Sequence, residues 1–309
     1  MELLVERLKN TMKSRGYSQH YLAKEIGKSI TTVNHFLQGK YNADIKGIAA
    51  LIVDFLDADD ARLEARLQNA PFVETAMSRD VGRVIDYARK YSTICAVTGE
   101  AGMGKSMILK NYADKHPSTI LMEVGAGFTP RSFMCNLLKL IDSNANLKGT
   151  TTELTARCIK KLSTAKRLIL IDEAELLPYQ TLEALRRLYD VTNIGVVLVG
   201  MPKLTNNLLG EDGEHAQLHS RVARYFNLPD SLLRDDFDLI VKKMMPEAED
   251  DGIRELLYKF SIGNGRRLLN LVRCIYEESE SKKLPINKGL VKVCTDALMS
   301  STRPKSIRR

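Results

Sequence analysis

The sequence contains no tryptophan and only five cysteines, Cys95, Cys135, Cys158, Cys274 and Cys294. They are scattered, odd in number and without a C-x-x-C pair, which excludes a disulfide framework and a cysteine-rich zinc site and fits a reducing cytoplasm. Long apolar runs are also missing. No stretch approaches the roughly 18 apolar residues of a membrane span, so no membrane partner is expected. The first residues, MELLVERLKNTMKSRG, interleave charges with apolar side chains at helical spacing, unlike the apolar block of a signal peptide. No internal repeat or low-complexity block stands out.

What is present describes a soluble, mildly basic protein. Hydrophobic residues make up 44% and charged residues 27% of the 309, near the averages for globular chains. A net charge of +8 favours polyanionic partners without identifying one. The pattern divides into three parts. Residues 1–66 read as short helices punctuated by Gly16, Gly27 and Gly39. Residues 76–229 alternate apolar runs, at 93–97, 119–124, 168–171 and 195–199, with amphipathic segments. Such alternation predicts a parallel sheet covered by helices on both faces. Residues 230–309 read as helical, ending in a basic tail of Arg303, Lys305, Arg308 and Arg309.

Gly99-Glu100-Ala101-Gly102-Met103-Gly104-Lys105-Ser106 fits the pattern G-x-x-x-x-G-K-[ST] in full, after an apolar run and before a helix that takes in Met107. Glycines let the backbone curl so that successive N–H groups face phosphates, and the helix N-terminus adds positive potential. Lys105 is expected to reach the β- and γ-phosphates of ATP, and the Ser106 hydroxyl to ligate Mg2+. Leu168-Ile169-Leu170-Ile171-Asp172-Glu173 is a buried strand ending in two acids. Asp172 is expected in the Mg2+ shell and Glu173 as the group that orients or deprotonates the attacking water.

These segments together resemble the AAA+ ATPase family over roughly residues 76–300. The resemblance implies an α/β AAA+ P-loop fold, with an all-α domain on either side in sequence. It also implies a polar residue after the strand at 195–199 to sense the γ-phosphate, where this sequence has Met201. His219-Ser220-Arg221-Val222-Ala223-Arg224 resembles the segment that carries an arginine finger into a neighbouring subunit, with Arg221 the first choice and Arg224 the second. Gly263-Asn264-Gly265-Arg266-Arg267-Leu268 resembles the arginine motif of the family's helical lid, with Arg267 preferred over Arg266.

Residues 18–40 resemble the helix-turn-helix of phage repressors. Leu22, Ala23 and Ile26 form the inner face of the first helix, Gly27 the turn, and Val33, Phe36 and Leu37 the inner face of the second. Ser29 is a plausible N-cap. Ile30, Thr31, Thr32, Asn34 and His35 then face outward toward a major groove, while Lys24, Lys28 and Lys40 meet phosphates. No arginine stands in the second helix for a bidentate guanine contact, so weakly specific binding is expected. His20 and His35 have no third ligand and read as ordinary surface histidines.

The order of parts, with the phrase Pro71-Phe72-Val73-Glu74-Thr75, resembles the phage family of ATP-dependent target-DNA activators. That resemblance implies a chain that self-associates on double-stranded DNA, forming ATP-dependent helical oligomers, and delivers target DNA to a DDE-type transposase. Contact with the transposase would then stimulate hydrolysis and clear the DNA. A nucleotide-gated transcription regulator is the alternative, and a helicase loader a more distant one.

Overall fold

A computed structural model describes residues 1–68, 70–165, 167–210 and 215–302, so the basic tail lies outside the described residues. The chain divides into two compact units, residues 74–232 and residues 1–73 together with 233–309.

In the second unit, α1 (Glu2–Arg15), α2 (Gln19–Glu25), α3 (Ile30–Leu37) and α4 (Ile45–Gln68) enclose an apolar core of Leu8, Leu22, Ala23, Ile26, Val33, Phe36, Ile52 and Leu56. Gly27 takes φ 64 after α2, and Lys28 N–H donates to the Ala23 carbonyl at 2.9 Å, the left-handed ending a glycine adopts without strain.

The sheet belongs to the other unit. It opens with α5 (Ala76–Tyr91), started by a reciprocal cap between Thr75 and Ser78, and β1 (Ile94–Thr98). Then follow α6 (Lys105–Lys115), β2 (Ile120–Glu123), α7 (Pro130–Ile141), α8 (Thr151–Thr164) and β3 (Ile169–Asp172). A 3-10 turn over Ala174–Leu176 leads to α9 (Tyr179–Thr192) and β4 (Val196–Gly200). Next come α10 (Lys203–Leu209), α11 (Ala216–His219) and β5 (Val222–Asn227). All strand pairs are parallel, in the order β2-β3-β4-β1-β5. β1, β3 and β4 are buried along their whole length, as their apolar runs predict. The edge strand β5 was not among the expected runs. Of its six residues only Val222 is buried, so it has no apolar signature.

The remaining helices, α12 (Arg234–Met244), α13 (Asp251–Ser261), α14 (Gly265–Lys282) and α15 (Lys288–Thr302), complete the helical unit. The sequence suggested separate N- and C-terminal domains, 1–66 and 230–309, whereas their contacts group them together. The link is polar. Arg15, 3% exposed, pairs with Asp60 at 3.2 Å and Asp59 at 3.6 Å on α4 and with Glu280 at 2.9 Å on α14. Arg273 Nε also donates to the Leu67 carbonyl at 2.8 Å. Apolar periodicity does not register such pairs.

Candidate functional site

The ends of β1, β3 and β4 meet at the Gly99–Ser106 loop. Gly102 and Gly104 take φ 84 and 82, left-handed values that strain any residue with a Cβ. Gly99 is tight for another reason, since a Cβ there would come within 2.7 Å of Leu228 Cβ. Its N–H donates to the Gly200 carbonyl at 3.1 Å, fixing the loop's start to the end of β4. Met103 is buried and anchors the loop, while Glu100, Ala101, Ser106 and Met107 are exposed.

Lys105, the first residue of α6, folds back over this loop. Its Nζ donates to the Gly99 carbonyl at 2.6 Å and the Glu100 carbonyl at 3.0 Å. Burial pulls its pKa down, against the opposing pull of Glu175, Asp172, Glu173 and Glu100. Asp172 is buried at the end of β3, where its Oδ1 accepts the Glu173 N–H at 3.0 Å. Glu173 follows in a left-handed conformation, φ 55. Burial raises its pKa, and the neighbouring carboxylates of Glu175 and Asp172 add to the rise.

This donor and acceptor set fits a nucleotide with its Mg2+. The loop offers a cradle only glycines can form, an ammonium and an exposed hydroxyl at Ser106. Among the described residues no cluster of three or more His, Cys, Asp or Glu could hold a metal alone. Met201 is half-buried just beyond β4 and supplies only a thioether.

The arginines are more dispersed. Arg221 stands just before β5, and its Nε donates to Asp190 of α9 at 2.9 Å. Asp190 also pairs with Arg186 at 2.5 Å, and Arg186 with Glu183 at 2.7 Å. Arg224 lies on β5 with its guanidinium 3.7 Å from the centre of the Tyr87 ring. Arg266 and Arg267 are exposed in the first turn of α14, in the helical unit, where Asn264 Oδ1 accepts both their backbone N–H groups at 3.1 Å. Two features escaped sequence reasoning. One is Asp190, whose only signal was an acid on an amphipathic helix, and the other is Glu175, which reads as a solvated acid.

On the helical unit, α3 presents Ile30, Thr31 and His35 to solvent, with Thr32 and Asn34 half-buried. Ser29 Oγ accepts the Thr32 N–H at 3.1 Å and lies 2.8 Å from Thr32 Oγ1, so both hydroxyls serve the cap. Asn34 Oδ1 accepts from the Gln38 amide at 3.0 Å. Lys24, Lys28 and Lys40 are exposed around this helix.

Comparison with known proteins agrees with this layout. Residues 88–208 match the family of the AAA domain, and residues 8–52 match the helix-turn-helix family. The chain is 26% identical over 272 residues to the Mu-like prophage FluMu DNA transposition protein B of Haemophilus influenzae, covering 86% of this chain and 93% of that protein. It is 28% identical over 233 residues to the ATP-dependent target DNA activator B of Escherichia phage Mu, 72% of this chain and 70% of that one. Among solved structures, the Aeropyrum pernix ORC2 protein superposes with a TM-score of 0.59 at 14% identity, over 75% of this chain and 71% of that one. The fold is therefore that of an AAA ATPase domain carried with an N-terminal helix-turn-helix. Among the described residues no helix is long and apolar enough to cross a membrane.

Proposed function

We propose that this chain, an AAA ATPase with a helix-turn-helix, binds duplex DNA in its ATP form, self-associates there, delivers that DNA to a DDE-type transposase and releases it on hydrolysis. The observation that carries the reading is the convergence of Lys105, Asp172 and Glu173 at a glycine cradle in a chain that also exposes a polar, lysine-flanked α3. Relatives named for DNA transposition and for ATP-dependent target DNA activation give that pairing its context.

On this reading the loop N–H groups and Lys105 hold the phosphates, and Lys105 exchanges the Gly99 and Glu100 carbonyls for phosphate oxygens. Ser106 and Asp172 would hold Mg2+, which would supply positive charge to offset the phosphates. Glu173 takes a proton from the attacking water. Arg221 leaves Asp190 to serve the site of an adjoining copy, while Arg224 stays on Tyr87. With no arginine on α3, the DNA contact is mostly to phosphates and weakly selective. The protein works in the cytoplasm of a bacterial host.

Electron microscopy on long duplex of arbitrary sequence tests this. Continuous protein coats with ATP, absent with ADP, are expected. Isolated particles at one preferred sequence in both nucleotide states would overturn the reading in favour of a transcription regulator.

A further inference from the structure

We infer that Glu175 orients the water that attacks ATP, at the end of β4 where Met201 offers no strong hydrogen-bonding atom. The inference rests on the ATPase reading above and adds a residue to it.

Three independent features place this side chain. After β3 the left-handed Glu173 turns the chain into the 3-10 turn, whose N-terminal end lies over Gly200. A Cβ at Gly200 would overlap Glu175 Oε2 and would lie 3.3 Å from the Glu175 backbone nitrogen. A side chain at the end of β4 would displace this carboxylate from where it lies. The opposite partner of Gly200 is the loop itself, through the Gly99 N–H. The turn is pinned by Asn207, whose Nδ2 donates to the Glu175 carbonyl at 2.8 Å. Finally, Glu175 Oε2 is sealed from solvent and has no hydrogen-bond partner among the described residues.

A buried carboxylate oxygen without a donor is costly, so such a group signals a site that completes itself with a ligand. Its surroundings name the ligand's chemistry. Glu175 heads the acids acting on the Lys105 ammonium, and its charge also acts on the Glu173 carboxyl two residues before it. A carboxylate cannot serve as a γ-phosphate contact, because like charges repel. It can accept an O–H from water.

The step balances with two acceptors. The attacking water has two O–H bonds, and Glu173 accepts one while Glu175 accepts the other. With both hydrogens held, the oxygen lone pair faces the γ-phosphorus. As the O–P bond forms, the proton on the Glu173 side transfers to that carboxylate. The hydrogen held by Glu175 stays on the product phosphate. The bond between the γ-phosphorus and the bridging oxygen breaks, and its electron pair leaves with ADP.

The test compares Glu175→Ala, Glu175→Gln and Glu173→Gln in the full chain. Three quantities are measured: steady-state turnover, affinity for a fluorescent ATP analogue, and residence on duplex DNA with ATP. For Glu175→Ala the kcat is expected to fall about 100-fold, the scale set by losing the alignment of a reacting group. KM and analogue affinity stay within about threefold, and residence on duplex lengthens because hydrolysis clears the DNA. Glu175→Gln keeps a carbonyl acceptor of the same shape and is expected to restore kcat to within about tenfold of the unmodified chain. Wild-type kcat in Glu175→Ala would overturn the inference. So would an equal loss of analogue affinity in Glu175→Ala and Glu175→Gln, which would assign Glu175 to the charge balance of Lys105. If the unmodified chain and Glu173→Gln are equally inactive, the ATPase reading itself fails.

Discussion

Replacing Lys105 with alanine separates nucleotide binding from every other property of the loop, and its size can be worked out. A ligand that binds only the folded state stabilises it by about 2.7 kcal/mol at 100 times its Kd. For a unit the size of residues 74–232, 1 kcal/mol moves the melting temperature by roughly 2–4 °C. Saturating ATP should therefore raise that unit's transition by about 5–10 °C. In the free protein Lys105 already holds two carbonyls, so binding exchanges neutral acceptors for charged ones. Removing hydrogen bonds to a charged group costs about 1.5–3 kcal/mol, and the middle of that range weakens Kd roughly 50-fold. At the same ATP concentration only about 0.6 kcal/mol remains, a rise of about 1–3 °C. Differential scanning calorimetry with and without Mg2+ and ATP reads both numbers. Lys110 lies exposed on the same helix, and Lys110→Ala should retain the whole shift. An undiminished ATP shift in Lys105→Ala would refute the assignment of this loop.

Three other perturbations test separate parts of the structure. Arg15→Ala removes the buried cation between Asp59, Asp60 and Glu280, and losing one side of a buried pair costs about 3–5 kcal/mol; chemical denaturation should show the helical unit unfolding earlier, while the ATP-dependent melting shift survives. Asp190→Asn loosens Arg221, a partly exposed pair worth below about 1 kcal/mol, and its second pair with Arg186 adds to the stability cost; sedimentation with ATP should show self-association at lower protein concentration, and Arg221→Ala should abolish it. Glu183 is held down to about 2 by its hydrogen bond to Arg186, with Arg187 assisting. A depressed carboxylate stabilises the fold above its ordinary pKa, so stability should fall as pH drops from about 4.5 to about 2, and Glu183→Gln should flatten that limb in acid titration followed by circular dichroism.

How far the sequence reveals this molecule depends on whether a feature is enforced locally. The loop at 99–106 is legible because its left-handed turns at Gly102 and Gly104 need glycine, and the need appears as letters at fixed spacing. The helix-turn-helix is legible for a similar reason, with Gly27 between two short apolar faces. β1, β3 and β4 announce themselves as continuous apolar runs because both of their faces are covered. β5 does not, since an edge strand can leave Ala223 and Arg224 exposed without loss. The meeting of Arg15 with Glu280 spans most of the chain and leaves no periodic trace. Glu175 is opaque in yet another way, because its neighbour in space is a glycine, and a glycine read alone does not reveal what occupies the room it leaves.

The two cations that hydrolysis would use are not equally useful for switching. To move a DNA-holding form from 1:99 to 99:1, ATP must favour it by about 5.5 kcal/mol over the other form. On the proposed reading Lys105, now on the Gly99 and Glu100 carbonyls, gains phosphate oxygens in any ATP-bound state, so its exchange of partners contributes affinity without discrimination. Arg221 differs, because on the proposed reading it meets a phosphate only when a second copy adjoins. It gives up a partly exposed pair with Asp190, worth about 0.2–1 kcal/mol, for charged hydrogen bonds worth about 1.5–3 kcal/mol. The surplus is roughly 1–2 kcal/mol per subunit contact, which falls short of the switch by a factor of about three to five. A dimer joined through one such contact would remain poorly switched. Several contacts acting together supply the difference, so on the proposed reading the small surplus per contact favours an extended assembly on DNA.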